Sequence, residues 1–470
     1  MGTVGSDQQR RPRRGVRLLQ VRHLEAVPDL PDLEAPAVRR VVGTDLMITS
    51  THRDGLLRTF NAFAAIGAKN GGLHRLTGTP EDGAARALLI SAFQERGYTV
   101  ACDAVGNVFG FVLPPDARPT ILIGSHLDSQ PDGGRFDGQT GVVTALWAAR
   151  VLEDRVRSGE LPFNLGVVNW TNEEGARFQP SVLGSSVFTG RIPPQVALEA
   201  VDPHGTTLGE SLSEINALGT DDVPLPAAYL EVHVEQGAVL EREGVDIGIV
   251  EGAWGALKLD VRVAGVQTHT GPTPMPERVD ALYATALLIT AVHRMGLEQP
   301  EGRLHTTVGS LRVTPDSPNC TPSEVRSKVE LRSDDPEVLA TARAALETAL
   351  EEIGQTTGAS LEITAESRRE TSHMWPEGPE ILERAADRCR LSSRRMKTIA
   401  GHDALVMNAA VPSLLFFIPS EAGHTHNHRE LTGDDDLVNG LHLMVSAVEI
   451  LGEHLKKHSM TGTGPETAPG

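Results

Sequence analysis

Apolar runs that stop abruptly in polar residues punctuate this chain. Thr120-Ile121-Leu122-Ile123-Gly124 is one, Asn164-Leu165-Gly166-Val167-Val168-Asn169-Trp170 another, and Ser413-Leu414-Leu415-Phe416-Phe417-Ile418 a third near the far end. Short bounded runs of this kind predict central strands of a parallel sheet, apolar on both faces. Residues 141–151 predict a helix between the first two, and the alternation of strands and helices extends from Leu56 to about Gly252. Ligands in open α/β sheets gather where strands end, so chemistry is expected in the polar loops after these runs.

The middle of the chain is patterned differently. Leu257, Leu259, Val261 and Val263 alternate with Lys258, Asp260 and Arg262, which predicts a half-exposed antiparallel strand. A helix is expected from about Glu277 to His293, strands near 306–313 and 324–332, a helix over 336–353 and a strand over 361–364. That β-α-β-β-α-β order describes a small α+β domain inserted into a larger one. The fold class expected is therefore α/β: an α/β/α catalytic domain with a central mixed sheet and a smaller α+β insertion. The expected boundaries are 47–254 and 370–457 for the catalytic domain and 255–369 for the insertion. A basic, Pro- and Glu-rich extension occupies 1–46, and 458–470 reads as a disordered tail.

Length and charge narrow the function classes. A chain of 470 residues exceeds what one hydrophobic core usually organises. A formal net charge of -19 argues against nucleic acid, which needs clustered Lys and Arg. No apolar run reaches membrane-spanning length. Three widely spaced cysteines, Cys102, Cys320 and Cys389, offer neither a disulfide framework nor a thiolate zinc cluster, and point to a reducing cytoplasm.

Five polar clusters carry the candidate chemistry: Gly124–Ser129, Gly133–Gly138, Thr171–Gly175, Glu231–Gly237 and His424–His428. They supply imidazoles and carboxylates without thiolates, a donor set that suits zinc, manganese, cobalt or nickel. Two metals held close together need a shared carboxylate to offset cation repulsion. Asp137, flanked by Gly138 and preceded by Gly133-Gly134, suits that role because glycines allow close approach. The adjacent Glu173 and Glu174 could divide their labour, one on the metal and one toward a water whose proton it takes. Taken singly, each cluster is more often structural: a lone His, an acidic pair or a surface Arg usually has no catalytic part. Their coincidence with the ends of expected strands is the stronger signal.

Together these motifs resemble the M20 metallopeptidase superfamily, and within it the amidase branch of N-carbamoyl-L-amino acid hydrolases, β-ureidopropionases and allantoate amidohydrolases. The resemblance runs from about residue 55 to 455, most specifically at 124–138, 171–185, 233–237, 271–275 and Gly401-His402-Asp403-Ala404. It implies two divalent metal ions per subunit, zinc first among manganese, cobalt and nickel. It implies His126, Asp137, Glu174, His233 and His426 as ligands with Asp137 bridging, Glu173 as general base and Asp128 supporting His126. His269 would steady the carbonyl oxygen. Asn319, Arg332, Gln236 and His402 would contact substrate, Arg332 holding its carboxylate as a bidentate fork. The insertion would also form a homodimer. The implied reaction is hydrolysis of an N-carbamoyl (ureido) amino acid to amino acid, ammonia and carbon dioxide. Allantoate hydrolysis, a dipeptidase or aminoacylase activity, and a non-catalytic binding scaffold are the alternatives. The chain departs from the family pattern with His428 behind His426, Asn319-Cys320-Thr321-Pro322 in place of Asn-Val-Ile-Pro, and no Gln near Trp254–Lys258.

Overall fold

The computed structural model describes residues 48–461, so the expectations for residues 1–46 and for 462–470 lie outside the described residues. The described residues divide into two compact units, one running to Ala228 and resuming over His424–Lys456, the other spanning Tyr229–Gly423.

In the first unit the strands Thr120–His126 and Asn164–Trp170 pair in parallel, Thr120 against Asn164 through His126 against Trp170. Every residue of both strands is buried, as two-faced apolar runs require. Val108–Phe111 pairs antiparallel with the Asn164 strand and Thr99–Cys102 with Val108–Phe111, so this sheet is mixed. Helix Gln139–Ser158 covers the two parallel strands with Val142, Val143, Leu146 and Leu152. Its outer side meets helix Ser50–Ala65, where the Trp147 indole donates to Thr59 Oγ1 at 3.0 Å. The parallel register brings the carboxyl ends of both strands to one edge, so the loops after His126 and Trp170 emerge side by side. The first strand also runs further than its apolar core, and His126 is its last residue rather than part of the loop.

The second unit holds further strands of mixed pairing. Ser413–Ile418 runs parallel to Ala228–Val234 and antiparallel to Ile247–Ala253, which pairs in parallel with Ser393–Thr398. It also holds a four-stranded antiparallel sheet, ordered His305–Thr314, Glu324–Ser333, Gly255–Ala264, Ser360–Arg369. Helices Ala281–Glu298 and Pro336–Thr357 lie on one face, enclosing Leu257, Leu259, Val261, Leu288, Val329 and Leu346. The opposite face carries Arg262 paired with Glu324 and Lys328 with Asp260. The element order is the β-α-β-β-α-β expected from the sequence.

Several boundaries differ from expectation: helix Ala281–Glu298 ends beyond His293, helix Pro336–Thr357 beyond Ile353, and strand Ser360–Arg369 runs past Thr364. The helix expected from Glu277 begins at Ala281, because the Asp280 side chain accepts the Leu282 and Tyr283 N–H groups and fixes the start there. Met275–Glu277 forms a separate 3₁₀ turn. The last helix extends to Thr461, so residues 458–461 of the expected tail are helical. Among the described residues no helix is long and apolar enough to cross a membrane.

Candidate metal centre

The first unit assembles its chemistry at the shared strand edge. His126 ends one strand, 1% exposed, and its Nδ1 lies 3.0 Å from the Asp128 carbonyl oxygen. A carbonyl only accepts, so Nδ1 carries a proton and Nε2 is the nitrogen that faces outward from the strand. That Nε2 lies 3.6 Å from Asp137 Oδ1 and 3.5 Å from Glu173 Oε2. Asp137 reaches the other way with its second oxygen: Oδ2 is 3.2 Å from His426 Nε2. One carboxylate thus offers each of its oxygens to a different imidazole, the arrangement a bridging ligand requires. His426 Nε2 is also 3.4 Å from Glu174 Oε2, and the Gln130 amide donates to that same oxygen at 2.9 Å. Asp137, Glu174 and His426 form one cluster of metal-ligating geometry.

Local backbone explains how these side chains converge. Gly138, with φ of +62°, lets helix Gln139–Ser158 begin immediately behind Asp137. A Cβ at that position would stand 2.3 Å from the His126 ring, so the glycine also makes room for the imidazole. His426 itself adopts a left-handed φ of +55°. Asp128 serves the Glu173-Glu174 pair: its carboxylate accepts the Glu173 N–H and the Glu174 N–H, both at 3.2 Å, and the Thr77 hydroxyl at 3.1 Å. It lies 3.6 Å from His126 Nδ1, so the imidazole is held chiefly through the Asp128 main chain. Asp128 therefore orients the acidic pair more directly than the histidine.

One residue of the site was not singled out from the sequence. Glu430, 4% exposed, accepts the Phe136 N–H at 2.7 Å and the Asp137 N–H at 2.9 Å through Oε1, and the Thr425 hydroxyl at 3.2 Å through Oε2. Its position four residues beyond His426 was the available signal.

The electrostatics ask for cations. Asp128, Asp137, Glu173, Glu174 and Glu430 are buried acids, with the imidazoles of His126 and His426 between them. Burial, reinforced by Asp137, pushes both Glu174 and Glu430 up to about 7, and burial raises Asp128. Burial pulls the histidines down, but the surrounding carboxylates reverse this, carrying His126 well above its usual range and His426 to about 9. Shared protons thus offset part of a charge whose burial otherwise costs several kcal/mol per ion. Divalent ions would offset it better, and the all-N,O donor set fits them.

The second unit holds the remaining expected residues. His233 lies within strand Ala228–Val234, its Nδ1 2.9 Å from the Val234 carbonyl oxygen, which again directs Nε2 away from the backbone. His402 is buried with its ring centroid 4.6 Å from that of His233 and Nε2 3.0 Å from Thr398 Oγ1. Glu231, His233 and His402 form a second group of ligating geometry, and Glu231 accepts the Ala404 N–H at 2.8 Å. Gln236 has a left-handed φ of +57°, and its N–H donates to Ser420 Oγ at 3.3 Å. His269 and Asn319 come together on paired segments: His269 bridges to Cys320, and the Thr270 N–H donates to the Asn319 carbonyl at 3.3 Å. His269 is exposed, and its Nδ1 accepts the Gly271 N–H at 3.0 Å, so the neutral ring carries its proton on Nε2 as an outward donor. Arg332 stands apart from these: Nε donates to Glu330 Oε1 at 3.0 Å and Nη1 to the Ile399 carbonyl at 2.7 Å.

The sequence model of peptidase family M20/M25/M40 matches residues 122–450. This chain belongs to that family. Relatives of this M20 chain include a Mycolicibacterium smegmatis protein named as a hydrolase, 41% identical over 87% of this chain and 95% of the relative. An N-carbamoyl-L-amino-acid amidohydrolase of Rhizobium meliloti is 36% identical over 77% of this chain and 86% of its own length. Among solved structures, a hydantoinase/carbamoylase-family amidase of Burkholderia vietnamiensis superposes with a TM-score of 0.79 at 34% identity, covering 85% of this chain and 97% of the other.

Proposed function

We propose that this M20 chain hydrolyses the ureido C–N bond of N-carbamoyl amino acids, releasing amino acid, ammonia and carbon dioxide. The observation that carries the reading is Asp137, whose two oxygens face His126 and His426 separately while Glu173 and Glu174 flank the same spot. The amidohydrolase named among its relatives supports the substrate class.

His126, Asp137, Glu174 and His426, with His233 as the family resemblance implies, would hold two divalent ions, zinc before manganese, cobalt or nickel. Bound there, such ions supply Lewis-acid activation of water and of the substrate carbonyl. Glu173 takes the water's proton on its carboxylate and returns it to the leaving nitrogen. Asp128 keeps that carboxylate aimed by holding the Glu173 and Glu174 N–H groups. His269 donates a hydrogen bond from Nε2–H to the carbonyl oxygen as negative charge grows there. Asn319, Gln236 and His402 contact the substrate, and Arg332, whose Nε and Nη2 both meet the single oxygen Glu330 Oε1, exchanges Glu330 for the substrate carboxylate, a charge-for-charge swap.

The proposal extends to the assembly. Residues 47–254 and 370–457 act as the catalytic domain and 255–369 as a lid through which two copies pair. The edge position of strand His305–Thr314 and the exposed Leu311, Leu282 and Tyr283 support that pairing. The absence of any disulfide among Cys102, Cys320 and Cys389 is in keeping with a cytoplasmic setting.

A substrate panel tests the reading. Carbamoyl α-amino acids, carbamoyl β-alanine, allantoate and dipeptides are offered to protein loaded with each of the four metals. Ammonia release is expected with carbamoyl α-amino acids. Turnover confined to dipeptides would overturn the assignment, and turnover confined to allantoate would move it to that substrate.

A further inference from the structure

We infer that Glu430 is a positioning residue that holds the bridging Asp137 and the His426 loop in one fixed span, and so sets the affinity of the metal pair. The inference rests on the metal-centre reading above and adds a residue to it.

Glu430 binds two loops that are distant in sequence. Through Oε1 it accepts consecutive main-chain N–H groups, Phe136 and Asp137, which fixes the peptide from which the bridging carboxylate projects. Through Oε2 it accepts the Thr425 hydroxyl, one residue before His426, and that hydroxyl also lies 3.4 Å from Asp137 Oδ2. The Glu430 N–H donates in turn to the Asn427 carbonyl at 3.1 Å, and the Asn427 amide to the Thr425 carbonyl at 2.7 Å. The loop carrying His426 is thus closed on itself and fastened to the loop carrying Asp137. The surroundings are shaped for this carboxylate: a Cβ on Gly134 would fall 2.0 Å from Glu430 Cδ.

A plain loop fastener would explain these bonds but not the choice of side chain. A glutamine oxygen could accept the same two N–H groups, and its amide could donate to the Thr425 hydroxyl. A buried carboxylate in their place adds negative charge beside Asp137, which is costly unless cations stand nearby. Residues that orient a metal ligand from behind typically contribute ten- to a hundredfold in affinity. Glu430 combines both contributions, geometry at two ligands and outer charge toward the ions.

The test compares wild type, Glu430→Gln and Glu430→Ala after chelation, titrating Zn²⁺ or Mn²⁺ calorimetrically and recording Tm with and without metal. Glu430→Ala is expected to lose roughly tenfold or more in affinity for at least one ion. Glu430→Gln keeps the hydrogen-bond pattern and is expected to lose several-fold, with kcat falling and KM nearly unchanged. A purely structural fastener would instead lower the metal-free Tm and leave affinities alone. Should Glu430→Ala fail to fold, Glu430→Gln decides alone. Wild-type affinities in a folded variant overturn the inference while leaving the metal centre standing. Wild-type protein that binds no divalent ion overturns both.

Discussion

At the scale of single residues, the acidic pair shows why identity and environment must be read together. Glu173 and Glu174 are neighbours in the chain, yet Glu174 Oε2 sits beside His426 and Gln130, whereas Glu173 Oε2 sits beside His126. Asp128 fixes both main-chain N–H groups, so neither side chain can drift into the other's place. Glu173→Gln should therefore leave the ligand set and the fold intact while removing the proton acceptor. Turnover is expected to fall roughly a hundredfold or more, in the range usual for general-base loss. Metal content by elemental analysis should be unchanged. A variant that retains full turnover would remove Glu173 from the proton-transfer role. The ligating candidates were legible because His, Asp and paired Glu at the ends of apolar runs are conspicuous. Glu430 was not, because a Glu between Arg429 and Leu431 looks like any solvated acid. Only the fold reveals that it is buried against the Phe136-Asp137 peptide.

At the scale of elements, the site depends on where helix Gln139–Ser158 starts. Its first residue follows Asp137 by two positions, and Gly138 carries the turn at positive φ with His126 against it. Gly138→Ala should cost about 1–3 kcal/mol for the strained positive-φ backbone alone, with a further penalty as the new Cβ meets the imidazole. The ring must shift, so metal affinity should fall more than stability does. Equal affinity in a folded Gly138→Ala protein would show that His126 tolerates the displacement. The strands 164–170 and 413–418 were readable to the residue, since fully buried strands are unbroken apolar runs with polar ends. The strand Val108–Phe111 and the short helices Leu183–Phe188 and Leu208–Glu214 carry too few residues to show a period. The four-stranded sheet was legible because one open face enforces alternation, as Lys258, Asp260 and Arg262 display. Its first helix was displaced by four residues because the cap at Asp280 outweighed the apolar pattern upstream.

At the scale of the whole molecule, the buried acids tie folding to metal and to pH. Glu174 and Glu430, both near 7, bind protons in the folded metal-free protein that they would release at ordinary carboxylate values once unfolded. Between those values the native state holds more protons than the unfolded one, so stability falls as pH rises. His426, raised to about 9, acts in the same direction: its contribution is complete below the usual imidazole value and lost as pH climbs through 9. All three groups thus make the metal-free protein less stable from about pH 5 toward pH 9. Divalent ions replace those protons, and ligand excess of a thousandfold over Kd adds about 4 kcal/mol by mass action. The difference in Tm between metal-loaded and chelated protein should therefore be small near pH 5 and widen steadily toward pH 9. Thermal scans of both forms in matched buffers check this, since titrations elsewhere in the chain cancel in the difference. A gap that stays constant across that range would mean that the acids and imidazoles around Asp137 do not exchange protons for metal. The same linkage requires that metal affinity weaken as pH drops toward 5, because each proton on Glu174 or His426 must leave before an ion can be bound.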